Sequence, residues 1–315
     1  MKPAKHKTLW TCGIILLAGI AAVDLLAGHS DLCRDIIIRL RLPRIMTAAI
    51  AGGALAISGT QMQSILRNPL ADPHIMGISA GAALGAAIAT MSGMTGLSVM
   101  LSASTGAFLT AVIILAASVK LKRASTLLIF GIMTGFIVNA AISMIQFSTD
   151  AESLKIFYSW SAGSFSLAKW SDIIIMGVVM AAGCIPAFLN SKGLDITLFG
   201  DEFAEMAGAD TRKIRISALL SCSMMTGAVT AFCGPLGFVG IVAPHIARSI
   251  FRTSVHSVIL PASVLTGSMI GISADLLSNL SPHPVPVSST MALIGIPVII
   301  CILVKGSGGI NDTIQ

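Results

Sequence analysis

The chain has 315 residues, of which 55% are hydrophobic and 11% charged, and its mean hydropathy is +0.89. Ordinary soluble domains carry roughly 25% charged residues, so a water-soluble fold is excluded: no core of this size hides that much apolar surface. The net charge of +6 is topology information first, because Lys and Arg collect on the cytoplasmic side of membrane proteins. Aromatic residues at 5%, with one tyrosine, leave little for stacking on bases, so no nucleic-acid partner is expected.

From the N-terminus, Met1 to Lys7 is basic (Lys2, Lys5, Lys7), and residues 8–28 are apolar apart from Asp24. A cleaved secretory signal has a shorter apolar core and a small-residue cleavage site. This run is long enough to cross roughly 30 Å of hydrocarbon at about 1.5 Å per residue, and it reads as a retained first span with its N-terminus inside. Further uncharged runs lie near 45–66, 75–91, 97–119, 125–147, 171–189, 214–233, 237–251, 258–277 and 287–304. The expected fold is therefore all-α: a polytopic membrane protein of about ten transmembrane helices, forming one transmembrane domain over 1–315 with both termini cytoplasmic and lipid around it. The run at 237–251 is the shortest and holds Pro244 and His245. Without it the count turns odd and the C-terminus changes sides.

The second run ends at Arg67-Asn68-Pro69-Leu70-Ala71-Asp72-Pro73. Each proline lacks an amide hydrogen and pushes its predecessor out of helical geometry, which predicts a tight, charged hinge between two membrane helices. With the N-terminus inside, Lys and Arg concentrate on inner segments: Lys2, Lys5, Lys7, Arg67, Lys120, Lys122, Arg123, Lys192, Arg212, Lys213, Arg215, Arg248, Arg252 and Lys305. The outer segments keep Arg34, Arg39, Arg41, Arg44, Lys155 and Lys169. The balance obeys the positive-inside rule, but the arginines ahead of the second span run against it. Clustered charge outside points to a docking surface.

The two halves, about 1–165 and 166–315, echo one another. Arg44 followed by a span ending in Asn68-Pro69-Leu70 parallels Arg215 followed by a span ending in Gly234-Pro235-Leu236. Five spans per half would set those helices in opposite directions, as inverted five-helix repeats do, with a transport path where the halves meet. Glycines cluster at Gly52-Gly53, Gly77 to Gly85, Gly131, Gly135 and Gly234 to Gly240; small residues at such spacing let helix backbones approach closely.

Enzymatic chemistry finds no support. There is no phosphate loop, HExxH helix, GxSxG elbow or GxGxxG turn, so neither ATP hydrolysis nor dinucleotide binding belongs to this chain. Cys12, Cys33, Cys184, Cys222, Cys233 and Cys301 show no CxxC spacing and read as small core residues, with no metal or cofactor implied. Asp24, Gln61, Gln63, Asn139, Gln146, His245 and Asp275 lie in or near spans, where polar groups are costly; each is read as a hydrogen-bonding or interfacial group. The longest inner loop, 190–213, contains a stretch from Asp201 to Ala207 flanked by Gly200 and Gly208. A helix there would put Phe203, Met206 and Ala207 on one face and Asp201, Glu202 and Glu205 on the other, a handle for a soluble partner or a solvated connector.

Several motifs then carry a family resemblance: Arg41-Leu42-Pro43-Arg44, the run 52–63, Asn68 to Pro73, Gly77-Ile78-Ser79-Ala80-Gly81-Ala82, Gly234-Pro235-Leu236-Gly237-Phe238-Val239-Gly240, Pro244 to Arg248, Gly271 to Asp275 and Gly295-Ile296-Pro297. In order and spacing the chain resembles the permease subunits of ATP-binding-cassette (ABC) importers for iron-siderophores, haem and cobalamin. The resemblance implies a homodimer on the cytoplasmic membrane, with two ATP-binding subunits inside and a substrate-binding protein outside. It implies that Arg41 and Arg44 dock the binding protein through salt bridges. It further implies that Gly200, Asp201, Glu202, Phe203, Ala204, Ala207 and Gly208 form the helix that couples to the ATPase, and that Ser125 and Thr126 lie at a cytoplasmic gate. Two positions depart from the family pattern: Asn279 stands where an arginine is common, and Ser281 to Pro286 replaces a Glu-Leu-Pro or Glu-Ile-Pro element. Transport by alternating access is the expected mechanism. The competing expectation is a secondary transporter with Asp24 or Asp275 as its proton or sodium site.

Overall fold

The structure, a computed structural model, describes residues 3–27, 34–121, 123–280 and 285–311; Lys2, Cys33, Lys122 and residues 281–284, all used above, lie outside them. The described chain is helical, with no strand among the described residues. In order come α1 (Pro3–Leu26), α2 (Arg34–Ile36), α3 (Leu42–Ile65), α4 (Ile78–Met91), α5 (Leu97–Lys120), α6 (Ala124–Phe147) and α7 (Ala151–Ser161). They are followed by α8 (Trp170–Leu189), α9 (Ser191–Thr197), α10 (Asp201–Met206), α11 (Thr211–Cys233), α12 (Val239–Phe251), α13 (His256–Asn279) and α14 (Val287–Asn311). Among the described residues seven helices are long and apolar enough to cross a membrane, and the shorter apolar helices Ile78–Met91, Val239–Phe251 and Val287–Cys301 pack among them. Together they account for every predicted run.

α3 is the mast of the bundle. It continues from α2 through a π-helical turn at Ile37–Arg41, where Pro43 cannot accommodate a regular turn before it. Every residue from Ala51 to Leu66 is buried, as expected of a helix apolar on all sides. Small residues make that possible. A methyl added to Gly52 would strike the Gly267 carbonyl of α13, and one added to Gly59 would strike the Gly240 carbonyl at the start of α12. Buried hydroxyls and amides join the same partners: Thr60 to Ser263 of α13 at 3.0 Å and Gln61 to Ser221 of α11 at 2.9 Å. Interhelical bonds of this kind contribute about 0.6 kcal/mol each on average.

Both broken stretches turn back beside α3. After Arg67 the chain uses Asn68 and Asp72 as side-chain acceptors for the amides of Leu70 and His74, at 3.0 and 2.8 Å, then makes a 3-10 turn at Pro73–Met76. The Gly234 to Phe238 stretch does the corresponding job before α12. The two meet where the His74 Nε2 contacts the Leu236 carbonyl. From there α12 runs toward the α10 end of the bundle, where Arg248 reaches Gln63, while α4 runs the other way toward the start of α5. That opposition is the one an inverted repeat requires.

α1 also begins at the α10 end, with Trp10 against Phe251 at 4.9 Å between ring centroids. α14 starts at the opposite end beside the 162–163 turn, where Ser288 donates to the Ala162 carbonyl at 2.7 Å. Besides α2, two helices fall in stretches predicted to be loops. α7 is opened by Asp150, whose carboxylate accepts from the Ser153 amide at 2.9 Å; that bond holds the acid below the ordinary carboxylate range. α9 is the other.

Candidate functional site

At one end of the bundle α10 is held to the helical body by charge. Gly200 precedes it with φ +111, a backbone conformation open to glycine and strained for other residues. Asp201 then turns inward. Its Oδ2 lies 2.9 Å from Nη2 of Arg215 and 3.5 Å from Nη2 of Arg67. Arg215, whose side chain is 9% exposed, also donates to the Leu121 carbonyl at 3.3 Å. One carboxylate thereby ties α10 to the end of α3, the start of α11 and the turn between α5 and α6. The Arg67 pair is too exposed to stabilise by more than about 1 kcal/mol, but the geometry fixes direction.

The rest of α10 follows from that anchor. Ala204 is the side chain that packs inward, fully buried. Phe203 and Met206 are 50% and 81% exposed, and Phe199 stacks near Phe203 with ring centroids 5.5 Å apart. The apolar face thus points outward, whereas an amphipathic helix packed on its own bundle would bury it; Glu202, Ala207 and Gly208 are exposed too. Glu205 accepts from Thr211 at 2.9 Å, and Asp210 caps α11 by accepting from the Lys213 amide at 3.0 Å. A recess of about 1190 Å³ opens between α10, Arg67, Arg215 and the first turn of α6. Ser125 lines it, and Thr126 next to it is exposed.

The opposite end gathers the arginines differently from the expectation of an open docking surface. Arg41 is 4% exposed, and its Nη1 donates to the carbonyls of Leu25 and Ala27 at 2.6 and 2.8 Å. Arg44 places Nε 2.7 Å from Asp275 of α13 and Nη2 3.4 Å from Asp24 of α1. Both aspartates are 1% exposed, and Asn279 donates to the Asp275 carbonyl oxygen at 2.6 Å. Arg41 and Arg44 therefore join α1, α3 and α13 within one subunit. Arg39 is 80% exposed and faces Asp35 at 3.9 Å. The sequence marked Arg44, Asp24 and Asp275 without joining them; their mutual contact spans up to 231 residues of chain and left no local signal. Arg67 read as part of the charged hinge and Arg215 as the counterpart of Arg44 in the second half, both on the inner side; their shared contact with Asp201 was not read from the sequence.

Among the described residues no group of three or more His, Cys, Asp or Glu could hold a metal ion. Cys222 and Cys233 are buried as small core residues are, while Cys12 and Cys301 are exposed.

Comparison with known proteins agrees with this architecture. The chain is 33% identical over 285 residues to the hemin transport system permease protein HmuU of Yersinia pestis, covering 88% of this chain and 85% of that one. It is 32% identical to the cobalamin import system permease protein BtuC of Halobacterium salinarum, covering 90% and 77%. A solved structure of a metal-chelate type ABC transporter in an inward-facing conformation superposes with a TM-score of 0.88 at 27% identity, covering 95% of this chain and 99% of that one. The FecCD transport family matches residues 11–305, and the chain belongs to that family.

Proposed function

We propose that the chain is the membrane subunit of an ABC importer that carries haem, cobalamin or an iron chelate inward across the cytoplasmic membrane by alternating access. The relatives named for hemin and cobalamin support this cargo class. The observation that carries the mechanism is α10. It is a short helix with Phe203 and Met206 turned to solvent and its Asp201 bolted to Arg67 and Arg215. An apolar face left outward beside acidic residues is the surface that a soluble partner would cover, and a rigid anchor is what would pass that partner's movement inward.

In this reading α10 lies in the cytoplasm, each subunit binds one of two ATP-binding subunits there, and Ser125 and Thr126 stand at the inner gate. The substrate-binding protein docks at the Arg44 end. Arg41 and Arg44 act on that docking through their ties to α1 and α13, and Arg39 is the exposed cation nearest the surface. A second copy of the chain packs against α6, whose exposed face holds Phe136 and Met144 and also Asn139. A polar amide on that face suits a subunit interface or a watery path better than lipid. Both termini are then cytoplasmic.

Substituting Ala204→Pro should break α10 without touching the spans. We expect uptake and cargo-stimulated ATP hydrolysis by the reconstituted complex to fall together while the permease still inserts. Normal stimulation of the ATPase in that variant would make the loop a mere connector.

A further inference from the structure

Buried between the loop and the bundle is a Ser–His–Asp set that the α10 anchor does not use. Asp195 on α9 accepts through Oδ1 from the backbone amide of His256 at 2.8 Å and lies 2.6 Å from that residue's Nδ1. On the far side of the ring, Nε2 is 2.6 Å from Oγ of Ser64 in the last turn of α3. His256 is 1% and Ser64 0% exposed, whereas the Asp195 side chain is 30% exposed.

A hydrolytic triad has the same residue types but needs a nucleophile that a substrate carbonyl can reach. Ser64 is sealed inside the bundle, and its hydroxyl already reaches the Thr60 carbonyl at 2.9 Å. The set reads instead as a mechanical link. α13 begins after Val255, which offers no side-chain cap, so its first amides would be left without partners at a buried position. Asp195 supplies the cap from another element and puts its negative charge at the positive end of the α13 dipole. The imidazole hands the connection on to α3. One residue earlier, Gln63 accepts from Arg248 of α12 at 2.6 Å, so the end of α3 is gripped from both sides.

We infer that Asp195, His256 and Ser64 form a positioning strut that carries displacement of the α9–α10 loop into α3 and α13. These are the two helices that Arg44 and Asp275 join at the other end of the bundle. The inference rests on α10 being the contact for an ATP-binding partner. Without the strut, the Asp201 anchor would still move the ends of α3 and α11, but α13 would lose its direct connection to the loop.

The test uses the full complex with its ATP-binding subunits and compares hydrogen–deuterium exchange with and without ATP plus vanadate. In the parent, nucleotide should change exchange both in residues 190–210 and at the Arg44 end of α3 and α13. Asp195→Ala and Ser64→Ala should keep the loop response and the assembly, with a thermal midpoint lowered by the loss of one cap or one buried hydrogen bond. Their far-end response should shrink by roughly threefold or more. Ser64→Ala removes a single oxygen and cuts the link from His256 to α3 while leaving Asp195 on His256, so a loss of far-end response on α3 decides the matter if Asp195→Ala does not fold. A far-end response equal to the parent's in a folded variant overturns the strut. A parent complex whose loop ignores nucleotide overturns the coupling reading beneath it.

Discussion

Arg44 shows what a single residue does here. Its guanidinium is shared by two carboxylates, each 1% exposed, and among the described residues Oδ2 of Asp24 finds no hydrogen-bond donor. Removing the cation would leave buried acids without a counter-charge, a change that costs about 3 kcal/mol or more. Arg44→Met should accordingly lower the thermal midpoint of the detergent-solubilised protein. Adding Asp275→Asn should recover part of the loss; an unchanged midpoint for Arg44→Met would mean that the trio contributes no stability. The same contacts weigh against an ion-coupled carrier, because the acids such a carrier would need already face an arginine. Sequence showed Asp24 and Asp275 to be costly and Arg41 and Arg44 to be outer charges, but could not show which side of a helix each faces, so their partners within the subunit became visible only in the fold. Asp210 is simpler. The hydrogen bond from the Lys213 amide holds its carboxyl below the ordinary range. A depressed folded pKa stabilises the start of α11 above the ordinary carboxylate pKa, and that contribution is lost as pH falls through the folded value. The protection of the Lys213 amide, taken relative to its intrinsic exchange rate at each pH, should therefore fall in that acidic window, and Asp210→Asn, which retains an acceptor, should flatten the dependence.

Among the elements, α3 was the most legible and α9 the least. A long uncharged run closed by two prolines can hardly be other than a span with a break after it, and the break at Gly234 to Phe238 could be read the same way. α7 had a usable signal in Asp150, a good N-cap, but its charged residues resembled a loop. α9 spans Ser191–Thr197, too short for helical periodicity to register, and the value of its Asp195 depends on a residue 61 positions away. α10 was legible as a helix, but its orientation was not, because the apolar side is set by the Asp201 anchor and not by its own pattern. Packing makes a sharper prediction. Gly52→Leu forces a side chain into the backbone of α13 and should cost at the upper end of the ~1–3 kcal/mol typical of overpacking, read as a lower thermal midpoint or a loss of folded protein. Gly177→Leu on α8, where nothing lies within 4 Å, should be neutral. Equal effects at the two sites would contradict the close approach of α3 and α13.

For the whole molecule, the described helices form a bundle with charge-anchored ends and a tightly packed middle. α3 runs between them, fastened to α1 and α13 at one end and to α10 through α13 at the other. Such a body tilts more readily than it deforms, because its glycine contacts leave no room for independent sliding. Nothing in the sequence resembles a nucleotide site, and in the proposed reading the work of moving cargo enters from a partner at α10. The direct test is uptake of hemin or cyanocobalamin into proteoliposomes, with the matching binding protein supplied and the permease reconstituted either alone or with its ATP-binding subunits. Accumulation against a gradient is expected only when those subunits and ATP are present, and it should be insensitive to ionophores. Accumulation by the permease alone, collapsed by an ionophore, would contradict the account.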